Sequence, residues 1–136
     1  MMSDKMQCVA TVENLHVVTD FVEECADRFD LEVRKKFEIM VAVEEAFVNI
    51  CSYAYPDGEG KAEFFCGVDG DAFVLEIADS GREFNVLSLS EPDTTLDIME
   101  REIGGLGVHF IRKLVDEVSY RRENNCNILR MKFMRG

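Results

Sequence analysis

Long apolar runs are missing from this sequence. No stretch approaches the roughly 18 apolar residues that suggest a membrane-spanning helix, so no span is expected. The opening residues, MMSDKMQCVATVENLH, bring acids early and hold no apolar signal core, so a cytoplasmic protein is expected. Closely spaced metal ligands are missing too. The five cysteines, at 8, 25, 51, 66 and 126, are odd in number and form no CxxC pair, and His16 and His109 make no HExxH. Zinc sites and disulfide frameworks usually show tighter spacing, so reduced thiols are expected. Positive charge is scarce: 15 Lys and Arg stand against 27 Asp and Glu, a net charge of −12. Binding a phosphate backbone takes clustered cations, so nucleic acid and anionic membranes are not expected partners. The same scarcity constrains a nucleotide ligand, which would need backbone N–H groups, a helix N-terminus or a divalent cation to offset its charge. Internal repeats and low-complexity linkers are absent as well.

What is present suits one folded unit. The 136 residues are 47% apolar, which predicts a single domain over residues 1–136. Periodicity and turn residues predict a strand over 7–12, helices over 15–29 and 31–54, and strands over 61–68 and 72–78 joined at Asp69-Gly70. A polar segment over 82–103 follows, then a helix over 107–114 and strands over 115–122 and 127–133, with a turn at 123–126. Runs of strands beside helices predict an α+β two-layer sandwich: a mostly antiparallel, mixed sheet with helices packed on one face.

Three short stretches carry chemistry. On the helix that carries VAVEEAFVNI (41–50), Ile39, Val43, Ala46 and Ile50 share an apolar side, while Glu38, Glu45, Asn49 and Ser52 lie on another. Glu45 and Asn49 are four apart and therefore neighbours, whereas Glu44 points about 100° away. A carboxylate beside an amide oxygen suits a proton acceptor next to a Mg²⁺ ligand, although a solvated helix stripe reads the same way. In VLEIADSGREFN (74–85), Asp79 ends a strand and Gly81 turns the chain. Such an Asp can accept a hydrogen bond from an exocyclic amine, or simply make a turn. In REIGGLGVHFIRKL (101–114), Gly104, Gly105 and Gly107 precede an amphipathic helix. Bare backbone at a helix N-terminus suits phosphate, yet neither GxxxxGK[ST] nor GxGxxG is present.

Taken in order, EEAFVNICSYAYP, IADSGREFN and EREIGGLGVHFIRKLVDEVSYRRENNCNILRM resemble the Bergerat-fold (GHKL, histidine-kinase-like) ATPases over nearly the whole chain, most closely the small bacterial anti-sigma-factor serine/threonine kinases. The resemblance implies Glu45 as general base and Asn49 as Mg²⁺ ligand. It implies Asp79 as the adenine-reading acid, with Gly81 letting the base approach and Phe84 and Tyr53 near the nucleotide. It implies a lid over about 82–103, and phosphates lined by Gly104, Gly105, Leu106, Gly107 and Val108. ATP and Mg²⁺ are the implied ligands. The implied activity is phosphorylation of a Ser or Thr on an antagonist protein, with sequestration of a sigma factor, by a homodimer; the alternative is an ATP-gated protein-binding module without kinase activity. Two departures stand out. Tyr53-Ala54-Tyr55 replaces a histidine-containing sequence, and ENNCNIL lacks the last-turn glycine, so Asn125 is expected to take positive φ.

Overall fold

A computed structural model describes residues 2–56, 58–85, 87, 111 and 113–134. Most of the expected lid lies outside the described residues, as do Gly104, Gly105, Leu106, Gly107 and Val108. The described elements are β1 (Met2–Val9), a 3-10 turn (Val12–Asn14), α1 (Leu15–Arg28), α2 (Val33–Tyr53), β2 (Lys61–Asp69), β3 (Ala72–Asp79), β4 (Glu117–Glu123) and β5 (Cys126–Met134). Ile111, Lys113 and Leu114 are helical as well, ahead of β4.

The strands form one sheet in the order β1-β2-β3-β5-β4. All four pairings are antiparallel, so the parallel component allowed by the expected mixed sheet is not among them. Strand alternation puts Phe64, Leu75, Ile77, Met131 and Phe133 on the covered face. Both helices turn their apolar sides toward it: Val18, Val22 and Cys25 from α1, and Ile39, Val43, Ala46 and Phe47 from α2, join those strand residues in one buried cluster. Phe47 meets Phe64 with ring centroids 5.8 Å apart, and Phe29 meets Phe73 at 5.3 Å.

The first strand departs from the expected 7–12. It starts at Met2 and ends at Val9, where Lys61 begins the partner strand. Polar residues at its start hide it in the sequence. Asp4 tolerates its place beside Cys25 because Arg28 meets its carboxylate at 2.7 Å. Both tight turns depend on left-handed backbone. Gly70 takes φ 64° in the loop between the closing pair Asp69 and Ala72. Asn124 and Asn125 take φ 53° and 63° between Glu123 and Cys126, as a two-residue type I′ turn demands. Asn125 thus fills the place where a glycine was missing.

Candidate functional site

Helix α2 delivers the first two candidate residues. Its long apolar side anchors it on the sheet, which fixes how far each turn lies from the strands. Glu45 is half-buried, and Asn49 is only 3% exposed. Asn49 is therefore not on a solvated stripe. Its Nδ2 donates to the Glu45 carbonyl at 3.0 Å. Its Oδ1 is buried and has no hydrogen-bond partner among the described residues. A buried acceptor left empty costs about 1–3 kcal/mol, so this oxygen points to something that completes it. Burial, and then the neighbouring Glu44 charge, push the Glu45 carboxyl above the ordinary carboxylate range. Glu38, on the same sequence stripe, instead lines a separate depression with Glu32, Arg34 and Lys35.

Strand β3 delivers the third. Asp79 is 6% exposed at the strand end. Its Oδ1 accepts from the Gly81 amide at 2.9 Å and from Asn127 Nδ2 at 2.9 Å. The second oxygen, Oδ2, bonds no described residue. Burial pushes this carboxyl up; the two hydrogen bonds and the Arg122 charge act against it. Gly81 has a packing reason to be glycine: a Cβ there would collide with the Ala54 carbonyl at the end of α2.

Asn49, Asp79 and Phe84 line one pocket between α2 and the sheet, with Ala46, Ile50, Ala54, Ile77, Tyr120, Asn127 and Leu129. Its empty volume is about 400 Å³, open solvent at the mouth included. The walls are mostly apolar with a few convergent polar groups, the usual make-up of a small-ligand site. Tyr53 lies outside that lining but stacks on Phe84, ring centroids 5.1 Å apart. Glu45 is not among the lining residues either; it sits one turn of α2 before Asn49.

Sequence reasoning missed Asn127. This buried side chain uses all four of its hydrogen-bonding positions. Nδ2 donates to Asp79 and to the Arg82 carbonyl at 2.8 Å, while Oδ1 accepts from the Phe84 amide at 3.1 Å and the Tyr120 hydroxyl at 2.6 Å. It stands opposite Asp79 in the β3–β5 register. The signal was available: alternation over Asn127, Leu129, Met131 and Phe133 puts a polar residue on the core-facing side. Tyr120 and Tyr55 were missed for lack of any local pattern.

Helix α2 thus brings an amide oxygen, and the end of β3 a carboxylate, to one pocket on an antiparallel sheet. Comparison with known proteins supplies the family. The family model described as a histidine kinase-like ATPase domain matches residues 8–133, and the chain belongs to that family. Within it, the chain is similar to the serine-protein kinases RsbW. The Bacillus mycoides protein is 22% identical over 134 residues, covering 96% of this chain and 84% of the relative. The Bacillus subtilis protein is 25% identical over 139 residues, covering 97% and 86%. Among solved structures, the RsbU and RsbW domains of a Mycobacterium tuberculosis protein match with TM-score 0.64 at 13% identity, covering 97% of this chain. An Erythrobacter litoralis blue-light activated histidine kinase matches with TM-score 0.57 at 20% identity, covering 78%. This chain spans 32% of each of those two structures, and they bear on the fold alone. No helix among the described residues is long and apolar enough to cross a membrane.

Proposed function

We propose that this domain binds Mg²⁺-ATP and transfers the γ-phosphoryl group to a Ser or Thr hydroxyl of an antagonist protein, and that it holds a sigma factor inactive when not so engaged. The RsbW relatives, serine-protein kinases by name, support the reaction class. A homodimer in the cytoplasm is the form we assign to it.

The observation that carries the reading is the meeting, in one pocket, of Asn49, whose buried Oδ1 has no partner among the described residues, with the buried Asp79 carboxylate. Asn49 Oδ1 is the hard oxygen that would hold Mg²⁺, which prefers such ligands and keeps several waters besides. The bound ion supplies charge neutralisation, which a chain of net charge −12 otherwise lacks. Asp79 Oδ2 accepts the exocyclic amine of adenine. Glu45, its carboxyl raised by burial, accepts or orients the proton of the attacking hydroxyl. Phe84, backed by Tyr53, forms an apolar wall for the base. We assign phosphate binding to Gly104, Gly105 and Gly107 with Leu106 and Val108, under a lid over about 82–103.

Calorimetric titration with ATP, with and without Mg²⁺, tests this on the wild type beside Asp79→Asn. Mg²⁺-dependent binding that weakens about tenfold or more in the variant is expected. No binding at millimolar ATP would sink the nucleotide reading. Glu45→Ala then separates a kinase from an ATP-gated binding module: a kinase loses phosphoryl transfer while ATP binding persists.

A further inference from the structure

Tyr55 lies just beyond α2 and outside the pocket, yet it touches the turn that presents Asp79. Its ring covers Gly60 so closely that a Cβ there would overlap it. Its hydroxyl donates to the Lys61 carbonyl at 2.6 Å, at the start of β2, and accepts from the Ser80 amide at 2.8 Å. Two residues on, the Arg82 amide donates to the Ala54 carbonyl at 2.9 Å. The backbone on both sides of Gly81 is thus fastened to residues 54 and 55, where the α2 chain ends. Just before them, Asp79 lines the pocket, and its Oδ1 receives the Gly81 amide and Asn127.

We propose that Tyr55 is a positioning residue for the base end of the pocket: its hydroxyl fixes the Asp79–Ser80 peptide plane, and with it the direction in which Asp79 Oδ2 faces a purine's exocyclic amine. This rests on the reading above that Asp79 recognises adenine. The Ser80 amide belongs to the peptide that directly follows Asp79, and a hydroxyl anchored on Lys61 holds it. The ring alone would fill the space over Gly60 but hold nothing. A phenol is protonated and able to donate at neutral pH.

The test is a comparison of two ligands on two proteins. Wild type and Tyr55→Phe are titrated, with Mg²⁺, against ATP and against purine riboside 5′-triphosphate, which lacks the exocyclic amine. Wild type is expected to prefer ATP by roughly ten- to a hundredfold, the size of a hydrogen bond to a charged acceptor. In Tyr55→Phe that preference is expected to shrink by about threefold or more, with the analogue's own affinity nearly unchanged. If both ligands weaken by the same factor, Tyr55 serves only the fold and the proposal is overturned. A wild type without preference overturns the adenine reading itself, before the variant is considered. A second measurement uses wild type alone. Amide exchange at Ser80 is expected to be slow in the nucleotide-free protein; exchange as fast as in exposed loops overturns the proposal whether or not Tyr55→Phe folds.

Discussion

Burial holds the Asp79 carboxyl above the ordinary carboxylate range, while Asn127, the Gly81 amide and Arg122 pull it down. The folded state therefore keeps this proton to higher pH than the unfolded chain does. By linkage, the contribution of Asp79 to stability is greatest below its unfolded value and is lost as pH rises through the folded value. Asp79→Asn removes that loss. The amide keeps the oxygen that Gly81 and Asn127 both use, and turns an NH₂ toward the pocket. In urea melts at neutral pH the variant should be no less stable than wild type, with any advantage shrinking as pH falls toward 4, even though it binds ATP poorly. A variant clearly less stable at neutral pH would contradict this account. Asn127→Ala strips partners from Asp79, the Phe84 amide and the Tyr120 hydroxyl at once. It should cost about 2–4 kcal/mol in urea denaturation, several partly buried groups losing one bond each. Glu45 gives a pH profile of the opposite kind. A base must be ionised, so phosphoryl transfer at saturating ATP should rise with pH through a value above that of an ordinary carboxylate. A rate flat across that range would remove Glu45 from the role of base.

At the end of α2, Gly81 lies against Ala54, its carbonyl included. Gly81→Ala should force these elements apart, lowering stability by about 1–3 kcal/mol, as overpacking does, and weakening ATP binding with it; an unchanged urea midpoint would show that the turn adjusts freely. The lengths of these elements also explain what was legible in the sequence. Helix α2 was readable because its apolar side repeats over 21 residues. The end of β3 was readable because Asp79 breaks an apolar run just before Gly81. The start of β1 was not, because Ser3, Asp4 and Lys5 look like a polar terminus until Arg28 meets Asp4 from another element. The burial of Asn49 was not readable, and a solvated stripe stayed open beside the ligand reading, since helical angles do not say which flank of a stripe a neighbouring strand covers. Tyr55 looked like a mere departure from a motif. Its two hydrogen bonds reach residues 6 and 25 positions away, beyond any local pattern.

Across the whole molecule, charge is unevenly matched. On the sheet, Arg130 meets Glu76 at 2.8 Å and Lys132 meets Asp69 at 3.1 Å, so some of the scarce cations are already engaged. Ion pairs still in reach of solvent contribute roughly 0–1 kcal/mol each, whereas a net charge of −12 repels itself throughout. Added sodium chloride should therefore raise the urea midpoint, because screening relieves more repulsion than attraction. A midpoint that falls with salt would mean that the ion pairs outweigh the net charge. The sheet order has a further consequence. The last described strand, β5, is not at the edge; it pairs with β3 on one side and β4 on the other. It also supplies Asn127, opposite Asp79. A nascent chain that has left the ribosome only through residue 85 carries Glu45, Asn49 and Asp79 but lacks the strand that completes the pocket wall. On the proposed reading, such a chain is expected to bind no nucleotide until the closing hairpin docks and brings Asn127 to Asp79.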